Sequence, residues 1–334
     1  MSGLLHGLLY GLVIVNALLL VSAANIWFER KLSARMQSRL GPTRVGPAGT
    51  LQPFADVVKL LVKEDVIPRD GDRVLFTLAP LLASLCALSA AAVVPFSEDV
   101  VAADLDVGVV WVLAVGSVTT IAVFMAGWAS NNKFALLGGM RAIAQAVSYE
   151  VPLVLVAMVP VILTGTMSLS GIVEHQSEHT WLAFWPVLPG LPAFVIFFLA
   201  LVAEANRIPF DIPEAESELV AGVTTEYTGM KFALFYLGEY VHTLVGSAVA
   251  ATLFLGGWSG PFVSGLPWLG LVYMVVKTLL LFVLITVVRW TLVRFRSDQL
   301  LAICWRWLVP ISVLLVLLSA LWVAFVPAAW GGGA

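Results

Sequence analysis

Glu150 and Glu239 each stand inside a run of residues apolar enough to cross a membrane. At 1.5 Å per helical residue, Glu150 lies about 14 Å beyond Arg141 and Glu239 about 12 Å beyond Lys231, within hydrocarbon in both cases. Lys277 sits near the middle of a third run. Each such charge costs at least about 2.5 kcal/mol on insertion scales, so three of them without a use are unexpected. Carboxylates at that depth can carry or gate protons; the alternative is a set of static pairs that fix helix packing. Tyr236, Glu239 and His242 recur at i, i+3 and i+6, with Tyr240 and Thr243 alongside, which gives one helix a single polar stripe. A stripe of this kind faces the bundle or a water chain rather than lipid.

A second concentration of acid follows Glu204. The stretch Glu204 to Leu219, continued by Thr225-Glu226-Tyr227, holds Asp211, Glu214, Glu216, Glu218 and Glu226 against a single arginine, Arg207. Asp211 is placed to cap a helix whose third residue is Glu214, with Pro213 tolerated in the first turn. On that helix Glu214 and Glu218 would share a face and repel one another. Crowding and partial burial raise carboxyl pKa values toward neutrality, as a proton reservoir requires. The competing reading is an acidic docking face for a partner.

The segment before these carries the opposite charge. Gln52, Asp56, Lys59 and Lys63 recur at steps of four, three and four residues, a polar stripe opposite Phe54, Val58 and Leu61. The spacing predicts a short amphipathic helix lying in the membrane interface, whose polar edge could border a cavity. Gly41-Pro42 and Gly46-Pro47 make the preceding segment turn-rich.

Other signals carry less. His175-Gln176-Ser177-Glu178-His179 has the zinc-peptidase spacing H-x-x-E-H, but it falls in an outer loop instead of on a long helix, so no metal site is expected. Gly138-Gly139 lacks the strand and phosphate-cradling pattern of a nucleotide site. Cys86 and Cys304 are too few and too far apart for a thiolate cluster. Ser22-Ala23-Ala24 resembles a signal-peptidase site, yet no Lys or Arg precedes it and the apolar core is too long, so cleavage is not expected.

The elements that must position these residues are membrane helices. The chain is 60% hydrophobic and 12% charged, a balance no water-soluble domain carries. Apolar stretches near Leu4–Ile26, Val74–Pro95, Val107–Trp128, Ile143–Thr164, Leu188–Ala203, Phe232–Leu255, Leu266–Val288 and Leu308–Val326 predict an all-α polytopic bundle of about eight transmembrane helices in one membrane domain spanning 1–334. Residues 28–73 form the first inner loop with its amphipathic helix, and 204–231 the acidic inner loop. All basic residues except Lys277 fall on one side, so the positive-inside rule puts the basic loops in the cytoplasm and both termini outside. The net charge of −3 says nothing about nucleic acid, and no nucleic-acid partner is expected.

Several segments together carry a resemblance. They are Glu29-Arg30-Lys31, Gly41-Pro42-Thr43-Arg44-Val45-Gly46-Pro47, the helix up to Lys63-Glu64-Asp65, Arg141 through Ser148-Tyr149-Glu150, Glu204 to Leu219, Thr225-Glu226-Tyr227 and Asp298-Gln299-Leu300. Over essentially its whole length the chain resembles the H-type membrane subunit of respiratory complex I, the proton-pumping NADH:quinone oxidoreductase, called subunit 1 in mitochondria. Thr43, Ile208 and Ser297 depart from the usual residues of that family and put only local hydrogen bonds in doubt.

The resemblance implies a subunit that forms a quinone chamber between the hydrophilic arm and the antiporter-like membrane arm. It would perform no covalent chemistry and bind no cofactor of its own. Quinone, ubiquinone among the candidates, would be the substrate, with flavin and iron-sulfur clusters in partner subunits and membrane lipid around the bundle. It further implies that Glu29, Arg30, Asp56 and Lys59 line the chamber or tunnel. By the same resemblance Arg207, Asp211, Glu214, Glu216, Glu218 and Glu226 form a quinone-sensing loop, and Arg289 and Arg294 lie near the tunnel mouth. Glu150, Glu204 and Glu239 would form the proton path into an energy-coupling membrane, the bacterial plasma membrane. Two alternatives remain: the membrane subunit of an energy-converting hydrogenase or related reductase, and a stand-alone proton or ion transporter.

Overall fold

Lipid leaves every backbone N–H and C=O to be satisfied within the chain, so the apolar runs become helices. The computed structural model describes residues 2–98, 100–178, 181–182, 189–263 and 265–325, and within these all side chains except those of 2–10, Glu216 and Ser217. In chain order the helices are α1 (Ser2–Met36), α2 (Gln52–Val62), α3 (Arg73–Ala91), α4 (Gly108–Ala129), α5 (Lys133–Thr164), α6 (Leu169–Glu178), α7 (Gly190–Glu204), α8 (Glu216–Leu219), α9 (Gly229–Phe254), α10 (Trp268–Thr291), α11 (Ser297–Ile303) and α12 (Val309–Phe325). A π turn, Cys304–Leu308, joins α11 to α12. Seven helices are long and apolar enough to cross a membrane, counting α11 and α12 as one. The fifth expected span is α7, whose 15 residues reach only about 22 Å, short of a full crossing.

Several boundaries differ from the expectation for a physical reason. α1 continues past Ile26 to Met36, so Glu29, Arg30, Lys31 and Arg35 ride on its last turns and not in a loop. Glu, Arg and Lys favour helix, and cations suit its negative end. α5 starts at Lys133, ten residues before the expected span, because the Asn132 side chain accepts from Phe134 N at 2.9 Å. At the start of α3 the Asp72 carboxylate accepts from Val74 N and Leu75 N. α3 ends at Ala91, leaving Val93–Pro95 outside it. His175 lies on a helix, α6, and not in a loop; His179 lies outside the described residues.

α2 forms as the stripe predicted. Its apolar edge, Phe54, Val58 and Leu61, is open, while Asp56 on the other edge meets Arg30 of α1.

α5 and α9 hold the centre. α5 packs on α4, α7 and α12; α9 packs on α3, α10, α1 and α7. Small residues bring backbones together, as expected where lipid offers no hydrophobic drive between helices. Gly238 of α9 lies against Ala83 and Ser84 of α3, and Ser84 Oγ donates to Leu234 O at 2.8 Å. The two central helices are therefore the ones that carry Glu150 on one and Glu239 with His242 on the other.

Candidate functional site

The centre of the site is Arg207, just past the end of α7. Its side chain is 3% exposed and lies between Glu239 Oε1 of α9 at 2.8 Å and Glu29 Oε1 of α1 at 3.0 Å. The guanidinium also covers the Tyr240 ring, 4.5 Å from its centroid. Arg289 of α10 donates to the same Glu29 oxygen. Burial would lower the Arg207 pKa, but Glu239 and Glu29 hold it above its ordinary value, so the cation is permanent. A buried charge persists only if paired, and here two carboxylates and two guanidinium groups from four segments neutralise one another.

The acidic loop wraps this core. Asp211 is tied to Arg294 by a 2.9 Å ion pair. Burial raises its pKa above the ordinary carboxylate value, with Arg294 pulling the other way. Its Oδ1 is buried without a hydrogen-bond partner among the described residues. Burial pushes Glu214 up to about 8, reinforced by Glu239 and Asp211 and opposed by Arg207 and Arg289. Arg141, 2.6 Å from Glu218, holds that carboxyl below the usual range through hydrogen bonding and charge.

The expected helix cap is absent. Residues 212–214 form turns, and the helix α8 starts only at Glu216, with Ala215 ahead of it and no side-chain cap. Asp211 spends its carboxylate on an arginine 83 residues away. Glu214 and Glu218 therefore share no helix face, and the loop is less starved of cations than its own sequence implies, since Arg141, Arg289 and Arg294 reach it from α5, α10 and beyond.

A cleft opens beside this core, lined by Glu214, Glu239, Tyr236, Asn206, Glu204 and His242 among others. A second, smaller cleft holds Tyr149 and Thr120 and shares Thr119, Asn206, Glu204 and His242 with the first. Glu204 Oε1 lies 3.4 Å from His242 Nε2. Glu150 stands one residue beyond Tyr149, half-exposed on α5. Polar groups thus run inward from the loop to mid-bundle, as titratable side chains must if protons are to pass through hydrocarbon.

Other expected site residues lie apart. Arg30, Asp56 and Lys59 form an exposed group, with Arg30 2.6 Å and Lys59 4.0 Å from Asp56. Glu226 accepts from Asn132 at 2.6 Å and lines a separate open hollow with Arg69, Asp70 and Lys133. The Glu216 side chain lies outside the described residues.

Residues 9–320 match the family model described as NADH dehydrogenase. The H-type subunit of NADH-quinone oxidoreductase from Dehalococcoides mccartyi (strain CBDB1) is 47% identical over 320 residues, covering 96% of this chain and 86% of that one. NADH-quinone oxidoreductase subunit 8 of Rhodothermus marinus is 44% identical over 329 residues, 95% of this chain and 96% of the relative. The chain belongs to the H-type subunits of NADH-quinone oxidoreductase. It is a multi-pass membrane subunit of an oxidoreductase complex, and its partners are the other subunits of that complex.

Sequence reasoning left part of this H-type subunit's interior unassigned. His242 appears in the sequence only as one member of a stripe, and its pairing with Glu204 depends on how α7 and α9 pack. Tyr149, Thr119 and Gln145 give a weaker signal, isolated polar residues in apolar helices. Gln145 Nε2 donates to Ala203 O at 2.7 Å and so fixes the end of α7 on which Glu204 sits. Gly116 of α4 gives no chemical signal at all, yet a methyl group there would overlap Glu204 Oε1.

Proposed function

We propose that this subunit forms the quinone chamber of a proton-translocating NADH:quinone oxidoreductase and passes protons through its buried carboxylates. The carrying observation is the Glu29–Arg207–Glu239 cluster, which opens on one side to the acidic loop and on the other to the Glu204 and His242 cleft. Flavin and iron-sulfur clusters of the partner subunits supply the electrons. This chain contributes charge and shape. Quinone reduction near Arg207, Asp211 and Glu214 alters local charge, and the loop answers by taking up or releasing protons. Asp211 Oδ1, left without a donor, is available to a ligand or water. Arg30 of α1 and Asp56 and Lys59 of α2 line the approach, with Arg289 and Arg294 at the chamber wall; Glu216, Glu218 and Glu226 belong to the responsive loop.

Moving one proton against 100 mV costs about 2.3 kcal/mol, which corresponds to a change of about two pKa units at a coupling carboxyl. Buried carboxylates reach shifts of that size. The basic inner end faces the cytoplasm of a bacterial plasma membrane.

Glu150→Gln and Glu239→Gln test the reading, because Gln keeps size and hydrogen bonding but removes the proton site. Quinone-dependent NADH oxidation and proton uptake into vesicles should fall together in each variant, both read per assembled complex. Assembled variants that pump at the wild-type rate and ratio would reduce these glutamates to packing charges and overturn the proton path.

A further inference from the structure

We infer that His242 is a proton-carrying residue that works as a pair with Glu204, connecting the chamber-side cleft to the deeper one; this rests on the proton path proposed above. The titratable residues of the first cleft are Glu204, Glu214, Tyr236, Glu239 and His242, and those of the second are Tyr149, Glu204 and His242. Only Glu204 and His242 belong to both. Thr119 and Asn206 line both clefts as well, but Glu204 and His242 are the shared residues that titrate, so a proton held on a side chain between the clefts is held on this pair. A third space, beyond them toward the outer end, is lined by Ala90, Val109, Leu153, Phe197, Val249 and Leu253 among others, and only Glu204 and His242 in it can bear a proton. The path therefore turns at the pair, since it cannot continue straight outward.

Position explains why a histidine suits this point. His242 is one turn beyond Glu239 on α9, so the ring lies between the Arg207-bound carboxylate and Glu204 of α7. Groups facing it are Glu239 and Tyr236 from its own helix, Glu204 from α7, Glu214 from the loop and Tyr149 from α5. Imidazole has two nitrogens and can accept a proton at one while releasing one from the other. Starting from neutral imidazole with its proton on Nε2, a proton from the first cleft binds Nδ1 and the Nε2 proton passes to Glu204 Oε1. Glu204 then releases that proton to the second cleft. The ring is left neutral with its proton on Nδ1, and tautomeric exchange through cleft water, which takes the Nδ1 proton as it gives one to Nε2, restores the starting arrangement with no net proton moved back.

Gly116 supports the assignment independently. α4 presents a bare Cα where the Glu204 carboxyl lies, and any side chain there would push Oε1 off its present position beside His242.

The test uses the intact complex in native membrane vesicles, comparing His242→Gln with Glu204→Gln, with assembly measured by yield of the complex. His242→Gln should slow coupled quinone-dependent NADH oxidation at least about 100-fold, the lower end of what a positioned acid–base group supplies. The pH profile should also lose the limb that reports protonation of the pair, which a purely structural role would not remove. If His242→Gln keeps the wild-type rate, proton ratio and pH profile while Glu204→Gln is inactive, His242 is no relay and the proposed function stands. If both variants are wild-type, the proton path itself falls. If His242→Gln does not assemble, Gly116→Ala, which displaces the carboxyl and leaves the ring, should slow coupled turnover; wild-type turnover there overturns the pair.

Discussion

Two buried cations sit at opposite ends of this bundle, and they are held in opposite ways. Arg207, at the inner end, is bound by carboxylates from two helices, in contact with a cleft full of titratable groups. Lys277, toward the other end of the bundle, meets no carboxylate among the described residues. Its Nζ donates to the backbone carbonyls of Leu255, Gly257 and Ser259 at 2.7, 2.8 and 2.8 Å and lies 4.0 Å from the Trp181 ring centroid. Those carbonyls follow the end of α9, where a helix leaves acceptors unpaired and favours positive charge. Depth in the membrane alone does not distinguish a working charge from a structural one. What distinguishes them is whether the partners can themselves gain or lose protons: the carboxylates around Arg207 can, and the carbonyls around Lys277 cannot.

The largest effect should come from removing the first cation. Arg207→Met leaves Glu29 and Glu239 buried without their shared partner, and breaking a buried ion pair costs about 3–5 kcal/mol. The complex should fail to assemble, read as loss of the intact complex from membranes. An assembled, stable Arg207→Met variant would mean that Arg289 alone suffices and that the cluster is less coupled than its distances imply.

Lys277→Met should cost less and do so differently. Carbonyls that lose their donor cost about 1–3 kcal/mol when buried, so thermal stability of the complex should drop. Coupled turnover per assembled complex should be unchanged, because no proton passes Lys277. Loss of proton uptake in assembled Lys277→Met would erase the contrast between the two ends.

The contrast also marks what sequence could and could not supply. Periodicity gave the helices and the amphipathic α2, because these follow from each segment's own relation to lipid and water. Glu239, Arg207 and Glu29 could be singled out as costly charges, but not as one cluster, since 178 residues separate Arg207 from Glu29. Local rules gave Asp211 a helix cap; Arg294 took its carboxylate instead. Lys277 looked like a third working charge because backbone carbonyls leave no mark in a pattern of side chains. The partner of His242 was hidden for the same reason as that of Glu29, being on another helix.

The smallest effect belongs to Glu214, and it bears on whether the inner end responds to protons as the other end cannot. Burial, together with Glu239 and Asp211, raises its carboxyl from an ordinary 4.5 to about 8. A carboxyl raised in this way favours the packed loop fully below about pH 4.5, and that contribution is lost as pH rises through about 8. Between those values the loop should loosen as Glu214 ionises beside two other acids. Hydrogen exchange over residues 211–219 in the intact complex, corrected for the intrinsic pH dependence of exchange, should show protection falling between about pH 4.5 and about pH 8. In Glu214→Gln the same segment should keep its protection across that window, since the amide has no proton to lose. Parallel curves for wild type and Glu214→Gln would mean that the carboxyl does not titrate there, and the acidic loop would then be as static as the Lys277 clamp.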